Sequence, residues 1–179
     1  EINYEQVLQL KASYSRELFL ELGEQVLSSD GYLTFYEMNS HWLFPYACYC
    51  YLRDRNKSAD FLEWGEFRNF REQLLLHLME NNQDAKTEIH YWYFIQYLLH
   101  EQFSGVKEYA RERGVALKGD IPIRISRNSI DAWTAPGLFN MDTQSGAPPD
   151  DFSCLGQNWG FPTYNWQAMA QDGYSWWIS

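Results

Sequence analysis

Apolar residues recur at steps of three and four over the first two-thirds of the chain, and that period predicts helices. From Tyr4 to Val26 the set Val7, Leu10, Tyr14, Leu18 and Leu22 shares one helix face, with Glu, Lys and Arg opposite. Ser28-Ser29-Asp30-Gly31 closes that segment with residues that tolerate turns. Tyr32 to Glu37 suits a brief helix or an irregular packing segment. Asn39 or Ser40 can cap a following helix that holds Pro45 in its early turns and carries Trp42, Tyr46, Tyr49 and Leu52 along its inner face. After a loop at Asn56 to Asp60, Phe67, Phe70, Leu74 and Leu78 repeat the helical spacing until Asn81-Asn82-Gln83-Asp84. The longest helix is expected from Ala85 to Arg113, with Ile89, Trp92, Tyr93, Gln96, Leu99, Phe103, Val106 and Ala110 inward and Gly114 as a left-handed cap.

Beyond Gly114 the pattern changes. Val115 to Ile123 is short and apolar and reads as a strand, so a long helix feeds a strand through a glycine, the joint of an α/β unit. A parallel strand needs neighbours on both sides, and the chain supplies about two strands. The remaining strands are therefore expected outside it. From Arg124 onward loops dominate, with helical turns at Ser129 to Trp133 and Pro136 to Phe139 and a final helix from Thr163 or Asn165 through Met169 and Trp176.

With 179 residues, 45% apolar and 21% charged, the chain has the size and content of one core-forming domain. Its net charge of −10, with no run of Lys or Arg, argues against nucleic acid and anionic membranes and favours a neutral ligand or a protein partner. Cys48, Cys50 and Cys154 form no even disulfide framework, which points to a reducing cytoplasm. No apolar window of membrane-spanning length and no export leader are present. The chain starts at Glu1 without an initiator Met and stops at Trp176-Trp177-Ile178-Ser179, within an amphipathic segment, so it reads as a piece of a longer protein.

His41, His77, His90 and His100 lack the spacing that brings two imidazoles to one ion, so neither a metal nor another cofactor is expected. The cysteines lack CxxC spacing and read as buried apolar side chains. Gly156 and Gly160 have no phosphate-loop setting. Gly146 to Trp166 stands apart: three prolines, three glycines, aromatic rings and short amide and carboxyl heads in one loop-forming stretch. Phe152, Trp159, Phe161, Tyr164 and Trp166 offer flat apolar faces, while Asp150, Asp151, Gln157, Asn158 and Asn165 offer planar hydrogen-bonding heads. That pairing suits a ligand with C–H faces edged by hydroxyls, as in a sugar ring. Asp150 and Asp151 are adjacent and point apart in an extended loop, so at most one contacts ligand. Asp120 follows the expected strand, either as a functional acid at its C-terminal end or as the anchor of a turn before Pro122.

Three ordered stretches carry a family resemblance: Lys118-Gly119-Asp120-Ile121-Pro122-Ile123, Ser126-Arg127-Asn128-Ser129-Ile130-Asp131-Ala132-Trp133, and Gly146-Ala147-Pro148-Pro149-Asp150 running on to Gly156-Gln157-Asn158-Trp159-Gly160-Phe161-Pro162-Thr163-Tyr164. Together they resemble the 4-α-glucanotransferases, the amylomaltase or disproportionating-enzyme family of glycoside hydrolases, over nearly the whole chain. The Arg127-Asn128-Ser129 and Asn158 to Trp166 variants resemble those of the plant cytosolic type and its bacterial relatives. The resemblance implies a (β/α)8 barrel with helical insertions that transfers maltosyl or longer α-1,4-glucan units between maltooligosaccharides or glycogen-like glucans with retention. It makes Asp150, Phe152, Gln157 and Trp159 ligand contacts on a mobile loop over the acceptor side of the cleft, with Asn128, Asp120 and Trp133 as further candidates. Two departures stand out: Asn128 where many members have Asp, and Asp151 where many have Tyr.

The fold expected is thus mostly α with a minor β component. Residues 1–114 form a helical region, and 115–179 hold a barrel strand, the cleft loop and the start of the next barrel helix, all within one larger catalytic domain. The family's nucleophile, acid/base and third carboxylate are implied to lie beyond Ser179, so no catalytic residue is assigned and the chain alone is expected to be inactive. Two rival readings are a non-catalytic carbohydrate-binding module and a helical interaction scaffold. Self-association through an exposed strand edge is a further expectation.

Overall fold

The structure is a computed structural model that describes residues 2–121 and 123–178. It is mostly helical, and contacts cluster the chain into two units, Glu1–Leu52 with Glu72–Gly119 and Arg53–Arg71 with Asp120–Ser179.

The first unit contains α1 (Tyr4–Leu27), most of α2 (Asp30–Asn56), α3 (Glu72–Asn81) and α4 (Gln83–Glu112). Asn3 caps α1 by accepting from the Gln6 N–H at 3.1 Å. The packing face of α1 is not the aliphatic stripe. Phe19 meets Tyr91 and Phe94 of α4, each at a ring separation of 5.5 Å. One turn earlier, the Arg16 guanidinium lies 3.6 Å from the Tyr91 ring centre and pairs with Glu88 at 2.6 Å. Val7, Leu10, Tyr14 and Leu22 are consequently exposed. The rings of Tyr91 and Phe94 and the Glu88 carboxylate on α4 match Phe19 and Arg16, and the two faces of α1 lie about a third of a turn apart.

A single α2 replaces the turn, short segment and separate helix expected around Tyr32 to Leu52, and Pro45 lies inside it. The proline's cost of about 3 kcal/mol is offset by burial of Tyr32, Phe35, Leu43, Phe44, Ala47, Cys48 and Leu52. The Asn82 side chain caps α4 by accepting from the Ala85 N–H at 2.9 Å. Gly114 follows its end with φ 69°, the left-handed conformation expected there. Phe67 and Phe70 precede α3, with Phe67 in a short 3-10 turn.

No strand forms over the described residues of Val115–Ile123, and Pro122 falls outside those residues. Val115, Leu117, Ile121 and Ile123 are 50% to 72% exposed. A strand exists only where a second strand meets its N–H and C=O groups, and among the described residues none pairs with this stretch. The edge invoked for self-association is therefore not formed among these residues.

His90 lies half-buried in the first unit beside a small cavity edged by Tyr32, Tyr36 and Tyr93. Burial first, and the Lys86 charge second, lower its pKa. The unfolded chain thus takes up a proton at higher pH than the folded chain does. Stability is accordingly expected to fall as pH drops through the ordinary His value of about 6.5 toward the lowered folded value. His90→Gln should remove that component in urea titrations run from pH 7.5 to 5; equal pH slopes for both proteins would contradict it.

The second unit gathers the 3-10 turns Phe61–Glu63 and Gly65–Arg68, α5 (Ile130–Thr134), a 3-10 turn at Pro136–Leu138, α6 (Trp166–Gln171) and α7 (Ser175–Ile178). Two antiparallel pairs of two-residue strands complete it: β1 (Phe139–Asn140) with β4 (Thr163–Tyr164), and β2 (Gly146–Ala147) with β3 (Gln157–Asn158). The expected final helix is split into α6 and α7, because Gly173 (φ 69°) and Tyr174 (φ 60°) turn left-handed between them.

Candidate functional site

The loop-forming stretch folds as a hairpin with an ordered tip. Strands β2 and β3 pair Gly146 with Asn158 and Ala147 with Gln157. Two further bonds extend the ladder, Trp159 N–H to the Ser145 carbonyl at 2.9 Å and Ser145 N–H to the Phe161 carbonyl at 2.8 Å. Only glycine fits at 146, since a Cβ there would meet the Gln157 carbonyl oxygen. At the tip, Asp150 Oδ1 accepts from the N–H groups of Phe152 at 2.9 Å and Ser153 at 2.7 Å. The Ser153 hydroxyl donates to the Gly156 carbonyl at 2.7 Å. One Asp150 oxygen therefore organises the turn. The same turn holds Phe152 and Leu155 outward, each 97% exposed, and leaves Cys154 exposed rather than buried as expected.

Trp159 stands at the hairpin's base and is 39% exposed. Its indole N–H donates to Gln157 Oε1 at 2.8 Å, so these two candidates orient each other. The Arg124 guanidinium stacks over the indole, its carbon 4.0 Å from the ring centre. Asn158 Oδ1 turns back to accept from the Gly160 N–H at 2.9 Å.

Arg127 anchors the loop. Its guanidinium donates to the Gly160 carbonyl at 3.0 Å and to the carbonyls of Met141 and Thr143. The Tyr164 hydroxyl donates to the Ile123 carbonyl, and its ring joins Phe139, Trp166, Trp176 and Trp177 in one aromatic cluster. Burial raises the Tyr164 pKa, which keeps it a neutral donor.

Arg127 and Asn128 also line a cleft of about 570 Å³, together with Asp60, Arg68, Phe70 and Trp133. Ser129 caps α5 by accepting from the Ala132 N–H at 3.3 Å, and this fixes the direction in which Trp133 leaves the helix. Trp133 is 2% exposed and donates its indole N–H to the Phe67 carbonyl at 2.9 Å, so it forms the floor of the cleft and part of the core. Asn128 is exposed. Asp120 is exposed as well, and its Oδ1 accepts from the next residue's N–H at 2.9 Å, the turn-anchoring alternative of its two readings. The structure thus brings Asn128 and Trp133 to one cleft, and Asp150, Phe152, Gln157 and Trp159 to one loop. Arg124, Arg127, Arg68 and Asp60 were missed. Arg127 sits inside a motif already singled out, while Arg68 and Asp60 reach the cleft only through tertiary folding. Among the described residues no group of three or more His, Cys, Asp or Glu side chains could hold a metal, and no helix is long and apolar enough to cross a membrane.

The motifs that build this loop and cleft lie within a match that runs the length of the chain: the family model for 4-alpha-glucanotransferase, glycoside hydrolase family 77, covers residues 1–179. The chain belongs to the 4-alpha-glucanotransferase family. It is 44% identical over 177 residues to the 4-alpha-glucanotransferase DPE2 of Oryza sativa subsp. japonica, a match covering 99% of this chain and 19% of the rice protein. Against the 4-alpha-glucanotransferase of Aquifex aeolicus the identity is 34% over 181 residues, 98% of this chain and 36% of that protein. Among solved structures, an amylomaltase from Streptococcus agalactiae in complex with acarbose matches with a TM-score of 0.85 and 26% identity, over 99% of this chain and 37% of that one. This member of the family therefore spans 19% to 37% of the length of these relatives.

Proposed function

We propose that this chain is part of a cytoplasmic 4-α-glucanotransferase that moves maltosyl or longer α-1,4-glucan units between maltooligosaccharides or glycogen-like glucans with retention. Its own contribution is the helical region 1–114 and, in 115–179, the loop and cleft that hold the acceptor-side sugar. The single observation that carries this reading is the hairpin at Gly146 to Asn158, with Trp159 half-open at its base, in a chain the family model matches throughout. A half-exposed indole beside amide heads is the chemistry that grips a sugar's C–H face and rim hydroxyls. The three free thiols fit a reducing compartment.

Retaining transfer needs two carboxyls about 5 to 5.5 Å apart across the bond to be cleaved. Among the described residues Asp60 is the only carboxylate lining the cleft, and Asp150 spends an oxygen on its own turn. The family resemblance assigns the nucleophile and acid/base to the rest of a (β/α)8 barrel, of which 115–179 is one section, and the lining of the cleft agrees with that assignment. Incubating maltotriose with the longer protein should yield glucose and longer oligosaccharides, and with the 179-residue chain alone neither. Glucose release by the chain alone would overturn the assignment of the carboxylates, and absence of transfer by the longer protein would overturn the activity.

A further inference from the structure

The surroundings of Arg124 are those of a group waiting for a partner. Among the described residues the ion pairs are made by Arg16, Arg53, Arg111 and Arg113, and no carboxylate lies within ion-pair distance of Arg124. Its Nη1 is shielded from solvent and has no acceptor among those residues. What the guanidinium does have is the face of Trp159, 4.0 Å away. Its charge also reaches Tyr164, where it opposes the upward shift that burial causes. The side chain therefore occupies the space beside the one half-open indole of the hairpin's base.

The attraction of a guanidinium to an indole face and the penalty for a shielded N–H without an acceptor are of the same order. The pairing is held weakly enough to yield to a ligand that satisfies both groups. A pyranose does so, because it stacks its C–H face on the indole and carries hydroxyl oxygens around its rim. We infer that Arg124 is a sugar-contact residue that donates to a hydroxyl of the ring bound at Trp159 and selects for that hydroxyl; this rests on the reading of the loop as a glucan-binding element. Arginine suits the place, since its flat fork can lie along an indole and donate from its edge, which a lysine ammonium cannot.

Calorimetric titration of the chain with maltotriose and its monodeoxy analogues tests this. Wild type should lose about tenfold in affinity for one analogue, the size expected of a hydrogen bond to a charged group. Arg124→Ala should bind maltotriose about tenfold more weakly and no longer distinguish that analogue, while Arg124→Lys should recover only part of the discrimination. If Arg124→Ala keeps the full penalty for every analogue, the arginine merely props the indole and the inference fails while the loop reading stands. If maltotriose binds wild type and Trp159→Ala equally, or binds neither, the loop reading fails and this inference with it.

Discussion

Replacing Trp133 with Ala is expected to lower the unfolding free energy of the second unit by about 3 to 5 kcal/mol, the range for deleting a large buried aromatic side chain. The indole is 2% exposed and is held edge-on by Trp64 at 5.6 Å and Phe70 at 5.1 Å. Truncation opens a void that Trp64 and Phe70 cannot fill without leaving their own rotamers. It also strands the Phe67 carbonyl, which loses the indole N–H that donates to it at 2.9 Å. Trp133→Phe separates the two effects. It keeps most of the apolar volume but leaves that carbonyl unpaired, so its loss should be smaller, about 1 to 3 kcal/mol. Urea unfolding followed by near-ultraviolet circular dichroism measures both. A loss under about 1 kcal/mol for the alanine variant would mean that Trp133 is not the keystone of this unit.

Trp133 also illustrates what the sequence makes legible. Its position in the Ser126 to Trp133 stretch marks it as important, but spacing cannot distinguish a ligand contact from a cleft floor, and burial against Trp64 and Phe70 decides that. Helix existence is readable wherever a long apolar period occurs, as in α4 and its Asn82 and Gly114 caps. Helix facing is not always readable: in α1 the period points to Val7, Leu10 and Leu22, whereas Phe19 and Arg16 make the contacts, because the partner helix offers an aromatic ring and a carboxylate. The stretch Val115 to Ile123 has strand composition, but composition cannot provide the neighbouring strand that pairing requires. At the loop, the aromatic and amide content is evident from the sequence. That Asp150 spends an oxygen on its own turn and that Arg124 lies on Trp159 are not, since both follow from backbone geometry and contacts 35 residues apart.

The second large effect concerns Trp159. Its indole is 39% exposed, its N–H is satisfied by the nearby Gln157, and its ring meets the Arg124 guanidinium, so Trp159→Ala should cost the folded chain about 1 kcal/mol or less. Sugar binding should suffer far more. Covering about 100 Å² of indole and sugar C–H surface contributes about 2.5 kcal/mol at roughly 25 cal/mol per Å². Losing that contact weakens binding by more than about tenfold. This contrast between a small stability change and a large binding change separates a binding aromatic from a packing one such as Trp133.

Whether the loop from Gly146 to Trp159 grips a glucan is decided by titrating maltoheptaose into the purified chain while following tryptophan fluorescence, with Trp159→Ala as the comparison. The prediction is a saturable change for wild type and, for the variant, one lost or shifted more than about tenfold to higher concentration. No response in wild type, or the same response from both proteins, would contradict it.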